Sequence, residues 1–226
     1  KDERAIEPLL EILETADEDR AETAIVALGE IGSRKASSSL IKLLDSSSWT
    51  IRKTAADALI NIGEQIFADL AALYESEDAS DDARYWCVRI AGNLKCGQAP
   101  ELILKALADP KWFVRASACG ALTNLYEIPA AIIEKLFALR RDKNPEVCRA
   151  SETALENIDR EKLLAISKQL INADERSEPS ADAGAIISFW QQRGEELKRP
   201  AQAAPVAKNK KTVKKVSVKK EDGPSR

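Results

Sequence analysis

Hydrophobic residues recur at helical spacing in paired segments along most of the chain. Within each segment the apolar positions follow one another at intervals of three and four residues, which places them on one face of an α-helix. Gly, Ser or Pro usually follows a segment and indicates a turn. The pattern predicts alternating outer and inner helices: 5–15 with 19–31, 40–44 with 51–62, 66–74 with 84–94, 102–107 with a helix opening at Asp109-Pro110, and 130–140 with a helix opening at Asn144-Pro145.

The inner helices share an Ala-Leu pair, or its equivalent, that returns at a nearly constant interval. The pairs begin at residues 27, 58, 90, 121 and 154, so the spacings are 31, 32, 31 and 33 residues. A period of this size is typical of a solenoid, in which each helical pair buries its apolar face against its neighbours. The predicted fold is therefore all-α, a right-handed solenoid of five helical pairs.

The regular pattern fades towards the C-terminus. Residues 163–171 and 183–197 predict a sixth, divergent pair, as expected for a terminal repeat that turns one face to water. Residues 200–226 carry eight Lys or Arg against two acids and have too little apolar content to fold. The predicted domains are a repeat array at 1–173, a divergent capping helix at 174–199 and a disordered Lys-rich tail at 200–226.

Composition narrows the classes of function. The chain has no His, so neither a His-based metal site nor a Ser/His or Cys/His catalytic couple can be built. The four cysteines show no C-x-x-C spacing, and Cys87 and Cys119 fall in or beside Ala positions of the core, which predicts buried thiols. We therefore predict no catalytic site, no metal and no cofactor. The net charge of -3 divides into +6 for residues 200–226 and -9 for the rest.

Targeting signals are absent from the pattern. No stretch reaches the ~18 consecutive apolar residues of a membrane span, and the first residues lack the apolar core of a signal peptide. We expect a cytoplasmic protein, or a nuclear one in a eukaryote if the Lys-rich tail is a nuclear address. Because the chain contains no Met and begins at Lys1 directly before a helix, we also expect it to be a fragment of a longer protein.

Two inner helices carry a resemblance to a known family. The segments IRKTAADALINIG at 51–63 and VRASACGALTNL at 114–125 resemble the short HEAT-like repeats of the phycobilisome-lyase type, within the HEAT and armadillo superfamily. The resemblance covers residues 5 to 160. It implies a scaffold that binds a protein or peptide on its concave face. The alternative that it implies is a chromophore (bilin) lyase or chaperone, with Tyr85, Trp86 and Arg89 lining the groove.

One polar position repeats along the inner helices, where it immediately precedes the last core residue. A projection at 100° per residue turns this position away from the core, in line with the residues four and eight positions earlier. Stacked amides can pair with the N–H and C=O groups of an extended peptide, and the asparagine ladder of armadillo proteins is similar. The alternative is that each Asn caps carbonyls in the last turn of its own helix. The asparagines are Asn61, Asn93, Asn124 and Asn157.

Other residues on the same face complete the predicted partner-binding surface. These are Tyr85, Arg89, Lys53 and Arg149. Ala116 and Gly120 are the smallest inward pair, so we expect a shallow floor with Tyr85 and Arg89 on one side and Arg149 on the other.

Three arginines and two tryptophans occupy further repeated positions. HEAT repeats commonly pair an Arg near the start of the inner helix with an Asp of the preceding turn, so the resemblance implies ion pairs of Arg52, Arg84 and Arg115 with Asp45, Asp81 and Asp109. Such pairs would fix the stacking of repeats. Trp49 and Trp112 are predicted to pack as hydrophobic staples, with a binding anchor as the alternative.

The tail offers a separate cationic surface. It predicts contact with nucleic acid, an acidic protein or anionic lipid, or else a solvated flexible segment. Its lysines are Lys208, Lys210, Lys211, Lys214, Lys215, Lys219 and Lys220.

Overall fold

The computed structural model describes residues 2–15, 17–94, 96–125 and 127–158, and the elements within these ranges are helical. The α-helices are α1 Ile6–Thr15, α2 Glu18–Ile31, α3 Ser37–Lys42, α4 Trp49–Ile62, α5 Phe67–Glu75, α6 Asp81–Leu94, α7 Ala99–Ala106, α8 Trp112–Ala121, α9 Ala130–Leu139 and α10 Pro145–Asn157. Short 3-10 turns lie at Glu3–Ala5, Arg34–Ala36, Leu43–Asp45, Glu64–Ile66 and Leu122–Asn124. The predicted sixth pair, the capping helix at 174–199 and the tail at 200–226 lie outside the described residues.

Helical pairs stack in chain order. Each odd-numbered helix packs on the even-numbered helix that follows it. Each even-numbered helix also packs on the next even-numbered helix, from α2 to α10. One aliphatic side chain from each of the five repeated pairs is at most 2% exposed: Leu28, Leu59, Ile90, Leu122 and Leu155. Burial of one such side chain stabilises the fold by about 1.5–3 kcal/mol. The solenoid predicted from the period is confirmed for the described residues.

Glycine and proline set several helix ends. Gly32 (φ 70°) and Gly63 (φ 93°) follow the last residues of α2 and α4. Their positive φ angles are conformations that residues with a Cβ avoid. Asn144 precedes α10 and its side chain accepts from the Glu146 N–H at 2.9 Å, while Pro145 occupies the first helical position, as predicted.

The prediction that Asp109-Pro110 opens the next inner helix is wrong. Helix α8 begins at Trp112, and Lys111 occupies the position before it without a side-chain capping bond. The two sequence signals look alike, yet only Asn144-Pro145 serves as a cap.

The Asp109 side chain points into the protein, where three hydrogen-bond donors surround its carboxylate. Its side chain is 2% exposed. The carboxylate accepts from Nε of Arg84 at 3.1 Å, from the hydroxyl of Tyr74 at 3.0 Å and from the N–H of Lys111 at 2.8 Å. Burial and the nearby Asp109 charge raise the pKa of Tyr74 well above its ordinary value, so the phenol remains a donor. A buried carboxylate requires such compensation.

Arginines at the start of three inner helices bind the loop in front of their own helix. Arg52, Arg84 and Arg115 each donate through Nη1 to a backbone carbonyl five or six residues earlier. The distances are 2.6 Å to Ser46, 3.1 Å to Ala79 and 2.8 Å to Asp109. Loop carbonyls need donors because no helix supplies them.

The same arginines reach forward to an acid of the following repeat. The pairs are Arg52–Asp82 at 3.4 Å, Arg84–Asp109 at 3.1 Å and Arg115–Asp142 at 2.8 Å.

Pairing with the preceding turn is thus correct only for Arg84, which also meets Asp81 at 2.5 Å. Asp45 is exposed and is not the partner of Arg52, and Arg115 takes the backbone of Asp109 but not its carboxylate. The forward direction follows because Nη1 is already held by the preceding loop, which leaves the other side of the guanidinium for the next repeat.

We expect Asp142→Asn to lower the free energy of unfolding at neutral pH by about 2 kcal/mol, since it removes a bidentate, charge-assisted contact. The side chain is 8% exposed, and the hydrogen bond from Arg115 holds the pKa of Asp142 below its ordinary value. A depressed folded pKa stabilises the fold above the unfolded pKa of about 3.9, and this contribution is lost as the pH falls through the folded pKa. Urea unfolding at pH 7 and pH 3 measures the change.

The matched control is Asp57→Asn, because Asp57 pairs with Lys53 on an exposed surface at 2.9 Å. We expect that variant to cost less than about 0.5 kcal/mol at either pH. A deficit of Asp142→Asn that stays constant between pH 7 and pH 3 would show that the charge of Asp142 is not its source.

In the part of the chain that the structure describes, no helix has the length and apolar character needed to cross a membrane.

Candidate functional site

A groove of about 580 Å³ lies on the inner helices between α6 and α8. Helix α6 contributes one row of side chains spaced by four residues, and α8 contributes two, because residues at this spacing share a helix face. We call it the α6–α8 groove. It is lined by Tyr85, Arg89 and Asn93 of α6, by Trp112, Phe113, Ala116, Ser117, Gly120 and Ala121 of α8, and by Asn124 of the adjoining 3-10 turn.

Aromatic rings form one wall of the α6–α8 groove. Phe113 stands edge-on to Tyr85 at 6.2 Å and to Trp112 at 5.8 Å between ring centroids. Tyr85 in turn meets the buried Trp86 at 5.3 Å with an interplanar angle of 79°. Edge-to-face pairs of this kind stabilise one another beyond their buried area. The wall is therefore held in place before any ligand arrives.

Arg89 is the cation of the α6–α8 groove. Its Nη1 donates to the Tyr85 hydroxyl at 3.2 Å, and its Cζ lies 5.3 Å from the Trp86 ring centroid and 5.8 Å from that of Tyr85. These distances fall within the range of cation–π attraction. Among the described residues, no carboxylate lies within ion-pair distance of Arg89. Its charge thus faces the groove without a counter-ion from this part of the chain.

Asn93 and Asn124 meet across the two helices. Asn93 Nδ2 donates to the Arg89 carbonyl at 2.8 Å, and Asn124 Nδ2 approaches Asn93 Oδ1 at 3.5 Å, the outer limit of a hydrogen bond. Asn93 thus satisfies a carbonyl of its own helix and also forms part of an amide row. Within the described residues, one N–H of each amide and the Asn124 Oδ1 keep no partner.

The structure does not continue the amide row to the other two asparagines. Asn61 is exposed on α4 and makes no amide contact within the described residues. Asn157 lies at a separate depression of about 200 Å³, formed with Leu122, Thr123, Leu125, Ile128, Ala154 and Ile158. The two members that do meet belong to α6 and to the turn after α8.

Lys53 and Arg149 lie on inner helices but outside the α6–α8 groove. Lys53 pairs with Asp57 at 2.9 Å, and Arg149 pairs with Glu146 at 3.0 Å, each within its own helix. Both charges are therefore neutralised locally. Arg149 does not form the second wall of the groove that the sequence predicted.

Trp112 belongs to the aromatic wall, beside Phe113. The prediction that Trp49 and Trp112 pack as hydrophobic staples is wrong, because their side chains are 60% and 44% exposed. Trp112 lines the α6–α8 groove with Phe113 and Ser117, which the sequence analysis did not assign to the site. The signal was present, since Trp112 lies four residues before Ala116 in the row that predicted the floor.

No three acidic or Cys side chains in the described ranges meet in a geometry that could hold a metal ion. Cys87 and Cys119 are buried as predicted, and burial raises the pKa of each thiol to about 12. Because the thiolate is the nucleophile, neither cysteine is reactive at neutral pH.

Comparison with known proteins identifies the repeats. A family model for HEAT repeats matches residues 6–76 and 67–156. The complex of CpcE and CpcF of phycocyanin lyase from Nostoc sp. PCC7120 is 22% identical with a TM-score of 0.53, over 68% of this chain and 99% of that chain. The HEAT-like repeats protein from the archaeon Thermococcus onnurineus NA1 is 19% identical with a TM-score of 0.45, over 84% and 88%.

A designed armadillo repeat protein in complex with the peptide (KR)4 is 24% identical with a TM-score of 0.43, over 69% of this chain and 82% of that chain. No curated protein matches the sequence. At 22% identity the likeness to the phycocyanin lyase complex shows the fold alone, so the function has to be argued from the α6–α8 groove.

Proposed function

Because the chain belongs to the HEAT-repeat family, whose model matches residues 6–76 and 67–156, we propose that it is a non-catalytic scaffold that binds an extended segment of a partner protein along its inner helices. Repeat folds of this kind are typical of protein-binding scaffolds, because stacked repeats present a long continuous surface. The proposed centre of binding is the α6–α8 groove.

One observation carries the proposal: two partly unpaired amides stand beside a floor without bulky side chains. Asn93 and Asn124 keep free donors and an acceptor, which match the alternating N–H and C=O groups of a peptide backbone. Ala116 and Gly120 form the floor of the groove beside the aromatic wall, and their small size leaves the α8 backbone accessible. A peptide backbone can therefore approach closely enough to use the amides.

The aromatic wall supplies the apolar part of the proposed contact. Trp112 is 44% exposed although it is large and apolar, and it stands beside Phe113 and Tyr85 in a fixed arrangement. Aromatic residues and Arg are enriched at the centres of protein interfaces because they bury much area at little entropic cost. The α6–α8 groove combines both residue types.

We expect Gly120→Leu to abolish binding without harming the fold. A Cβ at residue 120 meets no atom within 4 Å, so the new side chain occupies the groove and not the core. Replacing a helical Gly also stabilises α8 by roughly 0.5–1 kcal/mol. The measurement is a selection of random linear peptides on the 226-residue chain and on the variant in parallel. Peptides specific for the groove should bind the variant at least about tenfold more weakly.

A second pair of substitutions tests the amides directly. We expect the double variant Asn93→Ala, Asn124→Ala to bind the selected peptides about tenfold more weakly, because each lost hydrogen bond is worth about 0.5–1.5 kcal/mol. Its thermal midpoint should move by less than about 2 °C, since both side chains are exposed. Asn61→Ala, at the same position of another repeat, is the matched control and should bind normally.

Other outcomes would favour other functions. A large loss of stability with intact peptide binding would mean that Asn93 and Asn124 only cap carbonyls of their own helices.

If no peptide depends on the α6–α8 groove, and a bilin mixed with the protein shows a shifted absorption band, the chromophore lyase or chaperone function gains support. The proposed nucleic-acid contacts of Lys208 to Lys220 lie outside the described residues, and salt-dependent binding with and without residues 200–226 tests them.

A further inference from the structure

Arg89 gives the α6–α8 groove a preference for charge. We propose that the groove recognises a peptide segment with an acidic side chain, Asp or Glu, whose carboxylate pairs with Arg89 while the peptide backbone lies against Asn93 and Asn124. This inference rests on the proposed peptide-binding function and adds the chemistry of the ligand to it.

Arg89 differs from the other inner-helix arginines because it lacks a counter-ion among the described residues. The other arginines of the described inner helices each have a carboxylate within 4.0 Å, and Arg89 has none among the described residues. Acidic residues are common in the described chain, so Arg89 lacks a partner because of where it lies and not because acids are scarce. The paired arginines are Arg20, Arg52, Arg84, Arg115 and Arg149.

The neighbouring repeats explain why Arg89 stays unpaired. The equivalent position one repeat earlier is Asp57, whose carboxylate is already held by Lys53 at 2.9 Å. One repeat later it is Gly120, which has no side chain and leaves open space. Arg89 therefore has a neutralised pair on one side and the open floor of the groove on the other.

Arg89 is also held in position before a carboxylate arrives. Arg89 rests on the rings of Trp86 and Tyr85 and uses one N–H for the Tyr85 hydroxyl, which leaves most of its five donors for a ligand. A guanidinium fixed in this way loses little entropy when it accepts a carboxylate. Because the faces of Tyr85 and Trp86 already meet this cation, the same wall disfavours a positively charged ligand.

The separation of Arg89 and Asn93 along α6 determines where the acidic side chain of the peptide would lie. Arg89 lies one turn of α6 before Asn93, which is about 6 Å along the helix axis. A peptide whose backbone crosses Asn93 and Asn124 can span this distance with an Asp or Glu side chain. The groove thus offers one site for a backbone and one for a single negative charge.

A single carboxylate fits better than a polyanion. Among the residues that the structure describes, Arg89 is the only formally charged one that lines the α6–α8 groove. A nucleic acid or an anionic membrane presents many negative charges and needs several cations, which the rest of the groove lining does not supply. One acidic side chain within an otherwise neutral peptide matches the single cation of the groove.

The test uses peptides that are selected on the 226-residue chain and lose binding to Gly120→Leu. We expect these peptides to share an Asp or Glu at one position, and its replacement by Asn or Gln to weaken binding about tenfold, as for a charge-assisted hydrogen bond. Arg89→Gln should weaken binding of the acidic peptide by the same factor and leave the neutral peptide unaffected. Arg149→Gln, an inner-helix arginine outside the groove, is the control and should change neither.

The outcomes separate this inference from the function on which it rests. Groove-dependent peptides without an acidic position, or an acidic effect that persists unchanged in Arg89→Gln, would overturn the role of Arg89 and leave peptide binding intact. Peptides that bind the protein and Gly120→Leu equally would overturn both. Thermal unfolding of Arg89→Gln, expected near the unsubstituted midpoint because Arg89 is exposed, verifies that a loss of binding is not a loss of fold.

Discussion

Replacing Asp109 with Ala is expected to lower the free energy of unfolding by about 3 kcal/mol, a magnitude typical of breaking a buried charged network. The carboxylate is 2% exposed and accepts from Arg84, Tyr74 and the Lys111 backbone. Its removal leaves the Tyr74 hydroxyl buried without that acceptor, and an unsatisfied buried donor costs about 1–3 kcal/mol. Arg84 retains Asp81 and the Ala79 carbonyl, which limits the loss. Urea unfolding followed by circular dichroism measures it.

Two further variants make the Asp109 prediction specific. Asp109→Asn keeps an acceptor but loses the charge, so we expect roughly half the loss of Asp109→Ala. Asp45→Ala removes an exposed Asp from the turn that precedes the inner helix of an earlier repeat and should cost less than about 0.5 kcal/mol. Equal losses for Asp109→Ala and Asp45→Ala would show that the buried network contributes nothing to stability.

Asp109 also shows where sequence reasoning reaches its limit. Asp109-Pro110 and Asn144-Pro145 present the same local signal for a helix start, and only the second uses it. The difference lies in Arg84 and Tyr74, which come from the preceding repeat and offer donors to a buried carboxylate. No local pattern contains that information, because it depends on how one repeat packs on the next.

The period, in contrast, was sufficient for the fold. Leu28 and Leu59 recur because each inner helix packs an aliphatic side chain against its neighbours. This repeated contact requires the same kind of residue at fixed intervals in the sequence. The forward pairs Arg52–Asp82 and Arg115–Asp142 were not predicted, since they depend on the register between repeats.

The α6–α8 groove was predicted in part for a related reason. Counting in steps of four from Asn124 gives Gly120 and Ala116, and one further step gives Trp112, which was not part of the predicted surface. The adjacent row of Phe113 and Ser117 also faces the groove, because a gap between two helices is wider than one row of side chains. The four asparagines occupy one sequence position, so the sequence alone could not distinguish Asn93 and Asn124, whose amides meet, from the other two.

Gly92→Ala is expected to destabilise the protein by about 2–3 kcal/mol, as overpacking of a core contact does. A Cβ at this residue would lie 2.6 Å from Ala121 Cβ and 3.0 Å from Ala121 Cα. The second atom belongs to the backbone, so no rotamer change relieves the clash and α6 and α8 must separate. The gain in helix propensity, roughly 1 kcal/mol, is too small to compensate. Thermal and urea unfolding measure the loss.

Separation of α6 from α8 also widens the α6–α8 groove, which gives the same variant a second expected effect. Asn93 follows Gly92 directly, and its amide already meets Asn124 only at 3.5 Å. We therefore expect Gly92→Ala to weaken groove-specific peptides at temperatures where it remains folded. Gly29→Ala is the matched control, because its Cβ would lie 2.7 Å from Ala58 Cα between α2 and α4, away from the groove. It should lose comparable stability and keep its affinity, whereas equal losses of affinity in both variants would mean that global destabilisation, and not the spacing of α6 and α8, controls binding.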